Sequence, residues 1–427
     1  MDMSAVAEPE NQIQSELTFS AESGAVLQRL RTSISEMLNS MPASVRSTRD
    51  LQKLFGLDLK LCWLVMKLAG PGDALSLAPF VPTAGPMKRF LNAASAYGIT
   101  EPLTRQIRSA YDAFEQQVAT HAGDRMTFES MATGSVGQQA GSDEDLRRAD
   151  LKIRKAGFQM HSHYCGAQMD TSLAISILHP SQGAGQGGNF DLAHVRCKLG
   201  QRRLRTGAMF PVDTFKTTVT LNLEEDKDDF HREAFEADSF QRYGAPILSK
   251  FCSQPLPAFE TIARPDGRTF TRIVGDEIGL RSSVNLTFAR LLRNTPMQML
   301  PNGNCTFGQS VNIDVPAMLV ISDQLVHRPT FPRLDVRSSV HWMAFKQDFP
   351  GFPDHVALPF RERVLKLEAG VDGARTREVP QYVDMIDFIC RQMNWKMEDF
   401  DVYRIRIEYP LLDSGIWTVY EGSPPAL

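Results

Sequence analysis

The chain has 427 residues, a length suited to two or three domains. Apolar residues make up 42% and charged residues 22%, so most of the chain is expected to fold. A formal charge of −4 excludes a protein whose whole surface grips nucleic acid, and any such contact must come from a local patch.

Residues 1–20 are polar and acidic with little to bury, and read as a disordered tail. A helical period starts near Ala25, where Val26, Leu27, Leu30, Ile34, Met37 and Leu38 recur at three- and four-residue steps. A helical domain over 21–133 follows from this and from further helices at 86–97, 101–121 and 124–132. Within it, residues 47–68 read STRDLQKLFGLDLKLCWLVMKL. Ser47 or Thr48 can cap a first helix whose apolar stripe is Leu51, Leu54 and Phe55. Gly56 stands where a turn needs positive φ, Leu57 plugs the corner, and Asp58 can cap a second helix that packs through Leu61, Cys62 and Val65.

This segment resembles bacterial helix-turn-helix segments. With Phe80-Val81-Pro82 and His121-Ala122-Gly123-Asp124-Arg125 included, the chain is similar to uncharacterised bacterial, transcription-regulator-like proteins with a long mixed C-terminal domain. The resemblance implies that the second helix enters the major groove of double-stranded DNA, with Arg49, Leu59, Lys60, Trp63 and Lys67 at the interface. The second helix departs from the family: residues 59–68 contain no Arg, Asn or Gln to make bidentate base contacts, so its two lysines suit phosphates. The bland alternative is a helical hairpin with Trp63 and Leu64 buried against the helix at 86–97.

Gly-rich residues 134–142 (GSVGQQAGS) read as a linker, and a charged helix is expected over 143–156. Beyond it the pattern turns to strands, at 173–178, 217–223, 259–264, 268–274, 284–288, 311–315, 403–409 and 416–420. One amphipathic helix lies at 382–395. The whole therefore reads as multi-domain: an all-α helix-turn-helix domain, then an α+β, strand-rich domain over 143–427.

Weaker signals lie in that second part. Arg196, Lys198, Arg202, Arg203 and Arg205 form a run without an acid, read as phosphate contacts or, preferably, as a match for the eight acids at 224–238 or for a second subunit. His161, His163 and Cys165 would share one side of a strand, but no further ligand supports zinc, so no metal is expected. Gly183, Gly185 and Gly188 fit G-x-G-x-x-G yet sit in a loop-like composition, so no cofactor is expected. Catalytic motifs of the nucleophile-elbow, P-loop, metalloprotease or kinase type are absent from the sequence.

Six scattered cysteines without a CxxC pair read as reduced thiols of a cytoplasmic protein, and no stretch is long and apolar enough to span a membrane. Three functions stay open: a DNA-binding regulator whose C-terminal part senses or oligomerises, an interaction or structural protein using the helix-turn-helix for packing alone, and an enzyme built on the C-terminal part.

Overall fold

The computed structural model describes residues 9–42, 45, 47–135, 144–181, 189–208, 212, 232–263, 269–301, 303–343 and 357–423. The chain divides into two compact units, Met1–Arg147 and Arg148–Leu427.

The N-terminal unit is helical: α1 (Pro9–Asn39), α2 (Thr48–Phe55), α3 (Leu59–Leu68), α4 (Ala84–Tyr97), α5 (Glu101–His121) and α6 (Arg125–Ser135), with a 3-10 stretch at Leu75–Phe80. The disordered reading of residues 1–20 is corrected from Pro9 onward, where α1 begins; residues 1–8 lie outside the described set. Phe19 supplies the reason. It is 5% exposed and meets the edges of Phe128 and His121 at ring separations of 5.5 and 5.4 Å, an anchor that average composition hides. Leu27, Leu30, Ile34 and Met37 of α1 join Ile107, Phe114 and Val118 of α5 in one core with Leu51, Leu61, Val65 and Phe90.

Helix α7 (Glu144–Cys165) runs across the division between the units. Of the expected linker, Gly134 and Ser135 belong to α6, and the rest lies outside the described residues. The charged helix expected at 143–156 continues to Cys165 because Phe158, 8% exposed, packs on Tyr409 at 5.4 Å and extends the buried side of the helix.

The C-terminal unit is α+β. Its strands are β1 (Ala167–Pro180), β2 (Asn189–Arg203), β3 (Arg232–Ala234), β4 (Phe259–Ala263), β5 (Thr269–Ile273), β6 (Val284–Pro296), β7 (Gln298–Met299), β8 (Cys305–Asn312), β9 (Ala317–His327), β10 (Asp335–Trp342), β11 (Leu365–Leu367), β12 (Phe400–Glu408) and β13 (Ser414–Gly422). Its further helices are α8 (Ser239–Tyr243), α9 (Gly370–Gly373) and α10 (Tyr382–Met393). A seven-stranded sheet has the order β11-β12-β9-β1-β2-β6-β3, and a four-stranded sheet the order β10-β13-β8-β7. Only the β1–β9 pair of the larger sheet is parallel; the other neighbours are antiparallel. The strands expected at 259–264 and 268–274 appear as the separate antiparallel β4–β5 pair, while 264–268 and 217–223 lie outside the described residues.

Alternation along the strands builds three layers. Leu173, Ile175 and Ile177 of β1, with Ile321 and Leu325 of β9, face α10 through Met385, Ile386 and Ile389. Leu178, Leu192 and Val326 face the smaller sheet through Phe307, Val336 and Tyr420. The larger sheet is therefore covered on both sides.

Candidate nucleic-acid interface

The helix pair α2–α3 is set by local chemistry. Ser47 caps α2: its Oγ accepts from the Asp50 amide at 3.3 Å, and the Asp50 carboxylate accepts from the Ser47 amide at 2.9 Å. This reciprocal box satisfies donors that a helix start leaves open. Gly56 has φ +65°, and its amide donates to the Gln52 carbonyl at 2.9 Å, ending α2 in a left-handed conformation that side chains resist. Asp58 then caps α3 by accepting from the Leu61 amide at 2.8 Å.

One face of α3 is core: Leu61, Cys62, Val65 and Leu68 are buried. Burial and the neighbouring Asp58 push the Cys62 thiol up, which makes it an inert packing group. The opposite face begins with Leu59 at 47% exposure, exposed Lys60, and Trp63 at 36%. Lys67 and Leu64 are half-buried. Trp63 does not bury against α4 as the packing alternative has it; its ring meets Phe80 edge-on at 5.7 Å. Arg49 and Lys53 are exposed on α2, and Lys88 and Arg89 on α4. Arg89 reaches Asp58 at 3.3 Å, which brings a cation of α4 to the first turn of α3. Both partners are more than half exposed, so this pair adds little stability. It sets charge: Asp58 opposes the positive end of the α3 dipole, and Arg89 offsets Asp58. No periodicity or motif in the sequence marks the Arg89–Asp58 and Phe80–Trp63 contacts, because both depend on tertiary placement.

The surface of α3 can therefore hold phosphates through Lys60 and Lys67, with Arg49 on the preceding helix. It can stack or wedge through Trp63. It offers no amide or guanidinium within α3 for bidentate base reading.

The basic run in the C-terminal unit has a different setting. Arg196, Lys198, Arg202 and Arg203 lie on β2, a strand inside the larger sheet. Arg196 donates to the Asn312 carbonyl at 3.1 Å, Lys198 pairs with Asp314 at 3.0 Å, and Arg202 pairs with Asp170 at 2.7 Å. Arg203 donates to the Ile273 carbonyl at 3.0 Å, and Arg205 to the Tyr164 carbonyl at 3.2 Å. Of the acids at 224–238, Glu233 bonds Arg293 at 2.9 Å and Glu236 accepts from the Ser249 amide at 2.7 Å; residues 224–231 lie outside the described set.

His161, His163 and Cys165 occupy the end of α7, not a strand, so their alternate spacing does not bring them to one side. Among the described residues no group of three His, Cys, Asp or Glu side chains is arranged to hold a metal. The glycines at 183–188 lie outside the described residues. No helix among the described residues is long and apolar enough to cross a membrane.

Three polar clusters of the C-terminal unit had no counterpart in the sequence reading. Asp323 of β9 and Arg404 of β12 face each other in register, with Nε to Oδ1 at 2.8 Å and Nη2 to Oδ2 at 2.6 Å. Burial pushes the Asp323 carboxyl up, and the two-point Arg404 contact pulls it back. Between the two sheets, His194 Nδ1 lies 3.2 Å from Ser176 Oγ, which donates to Gln309 Oε1 at 2.9 Å; Gln309 bonds Gln324 at 2.6 Å and also Tyr420. Burial, then Arg290 and Arg196, hold His194 well below the usual imidazole range, so this network is a neutral, enclosed part of the sandwich core. At the far end of β1, His179 stacks on Trp395 at 4.7 Å and meets His327 at 4.5 Å, while His327 Nδ1 lies 2.8 Å from Thr330 Oγ1.

No protein-family model and no curated relative matches the chain. Among solved structures, it is similar to a protein from Parabacteroides distasonis named a "putative protease", at 6% identity and a TM-score of 0.21. The match covers 60% of this chain and 40% of that one, and likeness at this level carries no argument about fold or activity.

Proposed function

We propose that the protein is a DNA-binding, transcription-regulator-like protein of the cytoplasm whose N-terminal unit docks on duplex DNA through α3. The observation that carries this reading is the local frame of the helix pair. The Ser47 box, left-handed Gly56 and Asp58 cap hold a short, sharply turned pair of helices, and the first turns of the second one carry exposed Leu59, Lys60 and Trp63. That is the part of a recognition helix that meets a groove in helix-turn-helix proteins. The grip is electrostatic, through Lys60, Lys67 and Arg49, and discrimination between sequences is modest, resting on DNA shape and on Trp63. The C-terminal unit acts as the sensing or oligomerising part.

A second reading rests on its own observation. Leu59 and Trp63 are four residues apart, hence on one stripe of α3, and both are exposed. An exposed apolar pair of this kind also suits docking of another protein. Titrating labelled duplexes with the full chain at several salt concentrations separates the two. Binding that weakens steeply with salt supports the DNA reading, and no binding to any duplex at low salt replaces it with the docking reading.

A further inference from the structure

The outer face of α3 joins an aromatic ring to two cations. Trp63 is 36% exposed, and its ring meets the buried Phe80 at 5.7 Å with an interplanar angle of 81°. An edge-on neighbour of this kind covers at most one of the two faces of an indole. Leu59, 47% exposed, stands one turn earlier on the same stripe. Exposed Lys60 lies three residues before Trp63 and half-buried Lys67 four residues after it, about 4.5 and 6 Å along the helix axis. The two lysines therefore bracket the ring. No acid lies within α3, and Asp58 at its start has Arg89 as a partner at 3.3 Å.

Size and energy say what suits this face. At about 200 Å² for a fully exposed large side chain, Leu59 and Trp63 together present roughly 170 Å². A standard protein interface buries about 800 Å² per partner, so the pair is too small to be one by itself. A nucleobase needs only a ring face, and every base has one to offer. Stacking one base on an aromatic side chain strengthens binding roughly five- to a hundredfold. Opening a paired and stacked step costs on the order of a hundredfold, and least at a mismatch. On intact duplex the cost thus offsets the gain, and Lys60 and Lys67 act on phosphates alone. Where bases are already unpaired, the gain is kept.

We propose that α3 is a stacking site for unpaired DNA bases, so that the preferred partner is a duplex interrupted by unpaired bases. Trp63 takes one base on its open ring face, Leu59 packs against the side of that base, and Lys60 and Lys67 hold the phosphates before and after it. Residues 59–68 include no Arg, Asn or Gln to bond base edges, so the preference is for unpaired structure and not for sequence. The assignment rests on DNA binding by α3 and names the form of DNA that this surface favours.

The test is an anisotropy titration of the full chain at one low salt concentration. The probes are a labelled duplex and the same duplex carrying a central run of mismatches. The mismatched duplex should bind at least about fivefold tighter. Trp63→Leu keeps apolar bulk against Phe80 and removes the ring face. It should bind both duplexes alike, with affinity for the intact one unchanged within about twofold. Trp63→Phe restores a ring and should keep most of the preference. Equal wild-type binding to the two duplexes overturns the stacking site and leaves phosphate contact by α3 standing. A preference that survives in Trp63→Leu does the same. No binding to either duplex overturns the stacking site and DNA binding together.

Discussion

In the N-terminal unit, the buried polar side chains among the described residues are Ser23, Ser33, Ser76 and Thr104, and none is charged. In the C-terminal unit, Asp323, Arg404, His194, Arg290 and Lys198 are all buried, and the sandwich interior is threaded by Ser176, Gln309, Gln324 and Tyr420. The first unit is held by apolar stripes that meet across helices, with caps closing the helix ends. The second places ionic and hydrogen-bonded groups between layers, where each depends on a partner far away in sequence. Stability in the first should therefore respond in small, local steps. Stability in the second should respond to single changes at paired polar groups and to acid.

The largest effect is expected at the Asp323–Arg404 pair. Arg404→Met leaves a carboxylate with no exposed side-chain surface facing a missing partner, and should cost about 3–5 kcal/mol of unfolding free energy by urea titration. Replacing both, as Asp323→Leu/Arg404→Met, removes the stranded charge and should recover most of that loss. A single variant as stable as wild type would mean that this buried pair does not differ in kind from the surface pairs of the N-terminal unit.

Acid comes next. Burial first, then the neighbouring His179, hold the His327 imidazole down at about 4 against an ordinary value of 6.5, and burial lowers His179 too. Between those two pH values the unfolded chain binds a proton that the fold refuses. Stability should thus fall as pH drops from 6.5 to 4 and stop changing for this group below that. Glu378, held at about 2 by Thr376 and Arg406, adds a loss of the same sign below its ordinary 4.5. Melting temperature measured across this range should decline, and His327→Asn should flatten the upper part of the decline. A His327→Asn variant whose melting temperature falls from pH 6.5 to 4 as steeply as wild type would contradict the burial of this imidazole in neutral form.

The smallest effect belongs to the helical unit. Asp58→Ala removes the cap of α3 and should cost about 1 kcal/mol. Losing its exposed contact with Arg89 adds little. The same change removes a negative charge from the first turn of α3, so salt-dependent binding to DNA should tighten even as the unit loses stability. Weaker binding would place the contact surface elsewhere.

The same contrast explains what was legible. Caps and turns act within three or four residues, so Ser47, Gly56 and Asp58 could be read directly, as could the span Glu101–His121 of α5. Strands at 284–288 and 403–409 were legible through alternation: the first falls within β6, and the second matches β12 up to Glu408, where Tyr409 turns to φ +48° and ends the strand. Alternation also misled. Arg404 on β12 reads as the polar side of a half-covered strand, but α9 and α10 cover that side, and the pairing with Asp323 spans 81 residues. The alternate His161, His163 and Cys165 suggested a strand, although the helical period of the preceding residues runs on to Cys165. For the candidate interface, the exposed Leu59, Lys60 and Trp63 were legible as the outer face of α3. The Arg89 and Phe80 contacts that complete their surroundings were not.

The central claim is that α3 meets DNA through phosphates. Its most direct test is fluorescence anisotropy of the full chain and of the Lys60→Ala/Lys67→Ala variant against several duplexes over a range of salt concentrations. Each neutralised phosphate adds about 0.9 to the magnitude of the log–log salt slope. The account predicts that the double variant binds every sequence more weakly to a similar degree, with a slope flatter by roughly 2. A variant with unchanged affinity and slope, or a wild-type protein that shows no salt-dependent binding to any duplex, would contradict it.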